Sequence, residues 1–180
     1  MTKVANPVVR LSEKPLESWS EGALYAAGDA ARLGDAAGLT KIGFGYSEVP
    51  PGKSGCPFHN HHVEDEMFVI LEGEGTYRFG SDSFPFKAGD ILVAPAGGQE
   101  TAHQIINTGS APLKFVSISN KSNIEVCEYP DSGKFLVSSL AGGSGPKLRH
   151  MARHPEQHIE DYWDGEPGAV TPSPVDSGDR

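Results

Sequence analysis

The chain has 180 residues and carries 15 Lys plus Arg against 24 Asp plus Glu, a formal net charge of -9 with a sequence pI near 5.2. This length suits one domain with a real core, and the acidic balance argues against nucleic acid or an anionic membrane as partner. No apolar run reaches the length of a transmembrane helix, the opening MTKVANPVVRLSEKP lacks the apolar core of a signal peptide, and the two cysteines, Cys56 and Cys127, make no disulfide framework. A soluble, cytoplasmic protein is expected.

Residues 1–40 read as an N-terminal extension. The stretch LESWSEGALYAAGDAARLGDAAG is rich in alanine and glycine and offers at best a short helix. Forty residues are too few for a helix-turn-helix domain and its linker. From Lys41 the pattern becomes strand, turn, strand: KIGFGYSEV, EMFVILE, GTYRFG, SFPFKA, DILVAP, AHQIIN, LKFVSIS, IEVCEY and FLVSS. Turn signals at PPG, EGEG, GSDS, AGD, PAGG, NTGSAP and YPDSG separate them. Many short strands at this spacing predict an all-β sandwich or barrel over residues 41–138. EMFVIL and DILVAP are apolar on both faces, so the outer face needs cover from the N-terminal extension or from a second subunit. Residues 139–180 read as a linker (AGGSGP), a short helix with Pro155 at its first position, and a flexible tail.

Four residues stand out inside the β region: His59, His61, Glu66 and His103. Histidine and carboxylate at short spacing, completed by a distant histidine, is the ligand chemistry of a divalent transition metal. His59 and His61 are two apart and share one face of a strand. Glu66 has the wrong parity for that face, so the chain must turn or bulge within residues 62–65 before EMFVILEG begins. His103 opens AHQIIN, which a closed or two-layered β structure can bring to the other three.

These residues also carry a family resemblance. His59, His61, four residues, Glu66, six residues and Gly73 resemble the first motif of the cupins, although six residues separate Gly52 from His59 where the pattern has five. Gly89, Pro95, Gly97, His103 and Asn107 resemble the second, with five residues rather than two before the histidine. The fifteen residues from Gly73 to Gly89 match the compact, single-domain microbial members. The resemblance covers about residues 41–138. It implies a double-stranded β-helix, a small jelly-roll barrel, with an N-terminal extension packed on the barrel or on a partner subunit, and a homodimer. It implies one divalent ion per chain (Fe, Mn, Ni, Zn, Co or Cu) held by His59, His61, Glu66 and His103.

Other candidates have plainer readings. His62 faces away from its neighbours, Glu64 and Asp65 read as turn charges, and Glu64 is the next ligand candidate after Glu66. Cys56 reads as an inert buried thiol and Asn107 as a turn-stabilising residue. His150, His154 and His158 recur at helical spacing, but Pro155 interrupts the run and surface histidines are expected. Tyr162 and Trp163 read as an aromatic patch docking the tail. Gly73 and Gly75 read as hairpin residues and not a phosphate loop. Tyr77 and Arg78 are the polar candidates inside the barrel. Three neutral imidazoles and one carboxylate leave a divalent ion with a net charge near +1 and two open positions for a small-molecule ligand. Two readings follow: a metalloenzyme (dioxygenase, isomerase or decarboxylase) acting on an oxygen-rich or carboxylate metabolite, or a non-catalytic small-molecule binding or sensing protein.

Overall fold

The computed structural model describes residues 7–139 and 148–153. Its strands in chain order are β1 (Glu17–Glu21), β2 (Tyr25–Ala30), β3 (Ile42–Val49), β4 (Asn60–His61), β5 (Glu66–Glu72), β6 (Glu74–Phe79), β7 (Asp82–Lys87), β8 (Ile91–Ala94), β9 (His103–Ile106), β10 (Leu113–Asn120), β11 (Ile124–Tyr129), β12 (Lys134–Ser139) and β13 (Leu148–Arg153). A single four-residue helix, α1 (Leu33–Ala36), joins β2 to β3 among the described residues. All nine strands expected between Lys41 and Ser139 are present.

One layer is a six-stranded sheet in the order β1-β2-β3-β10-β5-β8. The opposite layer has two pieces, β13-β12-β11-β4 and β7-β6-β9, joined by an isolated bridge from His59 to His103, while bridges from Ser54 to Tyr25 and to Ile106 tie β2 to β9. The ladders are antiparallel. Together they close a small jelly-roll barrel. Val49, Phe68, Ile70, Tyr77, Phe86, Leu92, Ile105, Leu113 and Phe115 fill it from both layers. Burying side chains of this size contributes roughly 1.5–3 kcal/mol each, enough to hold the barrel rigid around a polar site.

Three features depart from the sequence reading. The alanine- and glycine-rich stretch before residue 33 forms the hairpin β1–β2, with Glu17 opposite Asp29 and Glu21 opposite Tyr25. Its small side chains admit close packing: a Cβ on Gly28 would touch Leu16 at 3.4 Å. Gly73 does not close a hairpin between β5 and β6. At φ +88° it turns the chain from the six-stranded sheet into the other layer, with Pro112 and Leu113 3.0 Å from where its Cβ would be. Residues 148–153, expected in a linker and helical tail, form β13 on β12; the helix expected at Pro155, with His154, His158, Tyr162 and Trp163, lies outside the described residues.

The cover for the six-stranded sheet is divided. Ala30 and Leu33, with Val9, Leu11 and Leu16, pack over Phe44, Tyr46 and Val116, so residues before Lys41 blanket the β3–β10 half. The β5–β8 half stays open, where Met67 faces Val93 and Val69 faces Ile91 across the strands. Ile91 and Val93 are 57% and 58% exposed.

Candidate metal centre

The register of the short strand β4 decides which histidines point inward. Asn60 and His61 pair with Glu128 and Cys127 of β11. Asn60 Nδ2 and His62 Nε2 both reach the same Glu128 carboxylate oxygen, at 3.3 and 3.1 Å, so Asn60 and His62 share one face. His59 and His61 take the other, and their rings meet edge to face with centroids 5.1 Å apart. The chain then leaves the sheet through residues 62–65 and re-enters the opposite layer at Glu66, which is the change of direction the parity requires.

His103 comes to His59 by backbone pairing. His59 N donates to His103 O at 3.1 Å and His103 N donates to His59 O at 2.7 Å. The three extra residues before His103 are taken up by a 3-10 turn, Gln99–Thr101, so the insertion does not move the histidine off the ladder.

The result is a convergence on one atom. Glu66 Oε2 lies 3.2 Å from His103 Nε2, 3.4 Å from His61 Nε2 and 3.9 Å from His59 Nε2. Ligand atoms of His59, His61 and Glu66 lie within 4.8 Å of one another; His103 falls outside that mutual group and approaches it through Glu66. For metal bonds of about 2.0–2.2 Å, adjacent ligand atoms of an octahedron stand roughly 3 Å apart, which is near the spacing found. The far ring nitrogens are also disposed correctly: His59 Nδ1 lies 2.9 Å from Pro57 O and His103 Nδ1 3.3 Å from Thr101 O. A carbonyl accepts but cannot donate, so each carbonyl is placed to take an Nδ1 proton, which would leave Nε2 free for an ion once one is bound. The donor set fits a divalent transition ion.

Electrostatics agree. Burial, with the neighbouring His103 and His61, pushes the His59 pKa down to about 4. Burial opposes ionisation of Glu66, yet the His103 hydrogen bond and the His61 and His59 charges outweigh it and hold that carboxyl below its ordinary range. A neutral imidazole and an ionised carboxylate are the forms that bind metal.

A cavity of about 1000 Å³ opens from this cluster, walled by Phe68, Phe115, Ser117, Ser119, Gly43 and Gly45. Ser119 sits between Gly43 and Glu66 in the register of the sheet, and Ser117 between Gly45 and Phe68. The glycines keep the wall low and the serines line it with hydroxyls.

The remaining candidates divide clearly. Tyr77 points inward, but its hydroxyl donates to Val93 O at 2.9 Å and burial raises its pKa. Arg78 points outward, stacked 3.7 Å over Phe58 and paired with Asp131 through two bonds of 2.6 and 2.8 Å. Cys56 lines the cavity, and burial pushes its thiol up to about 12, so it is no thiolate at neutral pH. Asn107 is fully buried and bonds Val49 O, Ala111 O and Gly109 N, which closes the turn between β9 and β10. His150 is exposed on β13, with no metal-type cluster around it among the described residues. Two residues exceed their sequence reading. Glu64 is partly buried, lines the cavity and has its carboxyl pKa raised, first by that burial. Glu125 is nearly fully buried beside His61. Nothing in the strand pattern marks either one.

The Cupin domain family matches residues 45–119, which contain all four convergent side chains. A solved structure of Thermotoga maritima, described as a predicted oxalate decarboxylase, is 32% identical with a TM-score of 0.55, covering 64% of this chain and 99% of that one. The chain belongs to the cupins. The oxalate-binding protein of Thermotoga maritima is 36% identical over 75 residues, 42% of this chain, and the chain spans 59% of that relative's length. A sugar phosphate isomerase from Silicibacter pomeroyi has a TM-score of 0.63 at 26% identity, covering 71% of this chain and 76% of that one. The fold is shared with the two solved structures, while the ligands and reactions named for the three relatives differ. Among the described residues no helix is long and apolar enough to cross a membrane.

Proposed function

We propose that His59, His61, Glu66 and His103 hold one divalent transition ion, and that the protein is a small-molecule metalloenzyme of dioxygenase, isomerase or decarboxylase type for an oxygen-rich or carboxylate metabolite. The observation that carries this is the approach of three imidazole Nε2 atoms to one Glu66 oxygen, at 3.2, 3.4 and 3.9 Å, beside an open cavity. When bound, such an ion polarises a carbonyl or carboxylate oxygen and offers positions beside it for a second ligand. The protein's own part is to fix the ligands on two rigid layers, admit the metabolite past Ser117 and Ser119, and supply a proton carrier. Glu64 suits that last role, because its raised carboxyl pKa lets it exist protonated close to the site.

A second reading is binding without turnover. It is favoured by the commitments of Tyr77, Arg78 and Cys56, which take these three side chains out of acid–base work at the site. The relative named for oxalate binding supports it. We also propose a homodimer joined through the open β5–β8 face, where Met67, Val69, Ile91 and Val93 need cover. The functional test has two stages. Elemental analysis of untagged protein comes first, with one transition ion per chain expected. Turnover of oxalate and of sugar phosphates, with oxygen uptake under Fe(II), follows. Metal-loaded protein that binds oxalate without consuming it decides for the second reading; protein that takes up no transition ion refutes both.

A further inference from the structure

The cluster leaves one buried carboxylate without an assigned task. Glu125, on β11, is 9% exposed, and among the described residues no lysine or arginine pairs with it. An isolated buried carboxylate is costly unless it is well hydrogen-bonded. Here it accepts four backbone amides: His62 N at 3.0 Å, Val63 N at 3.3 Å, Glu64 N at 2.8 Å and Val126 N at 2.8 Å. Three of these are consecutive and belong to the loop that carries the chain from His61 to Glu66. Glu125 therefore holds the segment whose shape corrects the parity between two neighbouring ligands.

The same carboxylate faces a loose end. His61 Nδ1 is buried and has no hydrogen-bond partner among the described residues, whereas His59 and His103 each have a carbonyl there. Glu125 Oε2 lies 3.9 Å from it. A protonated Nδ1 meets the carboxylate with attraction, and an unprotonated one sets a lone pair against it. Closing the gap by about 1 Å makes a charge-assisted hydrogen bond of about 2.8 Å. That bond would fix the ring with Nε2 toward Glu66 and raise the basicity of Nε2.

Resting on the metal reading above, we infer that Glu125 is the positioning residue of the centre: it receives His61 Nδ1–H and anchors the loop that delivers Glu66. The rival acceptor is Glu64, whose carboxylate also approaches His61 within the same cluster. Glu64 borders the open cavity, whereas Glu125 is buried and fixed in place by four backbone amides, which makes Glu125 the better placed of the two.

The test uses the full chain loaded with Zn(II), with 15N-labelled histidine, and reads the imidazole N–H resonances together with the Zn(II) dissociation constant. Wild-type protein should show a downfield, slowly exchanging His61 Nδ1–H. Glu125→Ala should abolish that resonance and weaken Zn(II) binding about 10–100-fold, leaving the His59 and His103 resonances in place. Glu125→Gln keeps the volume and one acceptor oxygen, so it should move the resonance upfield and recover part of the affinity; it also carries the comparison if the alanine variant does not fold. An unchanged resonance in Glu125→Gln overturns the inference. So does a Glu125→Ala affinity within twofold of wild type, or loss of the signal in Glu64→Ala alone. Wild-type protein that binds no Zn(II) refutes the metal reading itself, an outcome distinct from these.

Discussion

His61→Ala and His62→Ala form a matched pair, because the two residues are adjacent and chemically identical while the barrel turns them opposite ways. His61 Nε2 stands 3.4 Å from Glu66 Oε2; His62 Nε2 stands 3.1 Å from Glu128 and is 39% exposed at the side chain. Loss of a residue that only supports a ligand costs about 10–100-fold in metal affinity. Loss of a ligand itself should exceed that: more than about 100-fold, or roughly 3 kcal/mol at about 1.4 kcal/mol per factor of ten. His61 lies outside the apolar core cluster, so the metal-free fold should lose only about 1 kcal/mol, a shift of roughly 2–4 °C in Tm. His62→Ala removes a partly exposed ion pair worth about 0–1 kcal/mol and no ligand. Chelator competition with Zn(II) and Mn(II), with melting curves of the metal-free proteins alongside, separates affinity from folding. The reasoning is refuted if His62→Ala weakens binding as much as His61→Ala does, or if His61→Ala stays within threefold of wild type.

Gly75→Ala should destabilise the barrel by about 3 kcal/mol, because the new Cβ would collide with the Ile106 carbonyl oxygen and lie 2.7 Å from a Phe86 ring carbon; a Tm within 2 °C of wild type would contradict the packing described. The metal-free protein should lose stability as pH falls from about 6.5 to 4. His59 binds its proton near 4 when folded, against an ordinary value of 6.5, so the unfolded chain takes up the proton first and stability falls as pH drops, by about 2–3 kcal/mol at pH 4.5 relative to pH 7.5. Glu66, held below its ordinary range, loses its contribution in the same direction at lower pH. Urea midpoints that are equal at the two pH values would show the imidazole to be solvated. Val93→Glu should yield a folded monomer in sedimentation velocity where wild type sediments as a dimer; a dimeric variant would place the subunit contact away from the β5–β8 face.

The parts of this molecule legible in its sequence are those where one residue type alone can serve. Phe68, Ile70, Leu92 and Leu113 fall in short apolar runs set off by turn signals, and that spacing betrays the barrel. EMFVIL and DILVAP, apolar on both faces, nevertheless hide which of their residues reach the core. The four convergent residues are legible because imidazole and carboxylate have few substitutes as metal ligands. Strand β4 shows in the sequence only as the two-residue spacing of His59 and His61; its extent is set by Glu128 and Cys127, far along the chain, which pair with it. The hairpin β1–β2 was missed for a related reason. Ala26, Ala27 and Gly28 have weak strand preference, and their place is set by the edge of β3 and by Leu16 lying against Gly28.

Glu64 and Glu125 show the harder limit. In sequence Glu64 reads as a turn charge and second-choice ligand and Glu125 draws no reading at all, because burial is a property of neighbours that periodicity cannot report. Any carboxylate, amide or hydroxyl could in principle hold three loop amides, so supporting residues carry no fixed pattern of their own. What does constrain them is geometry. Once His59, His61 and Glu66 must converge across a parity mismatch, residues 62–65 cannot follow a ladder, and their amides need acceptors from elsewhere. Glu125 supplies those acceptors for Val63 and Glu64, and it shares the His62 amide with Val126 O. A motif whose spacing breaks strand parity thus demands a partner to satisfy the break. That demand could be read from the sequence, while the identity of the residue that meets it required the fold.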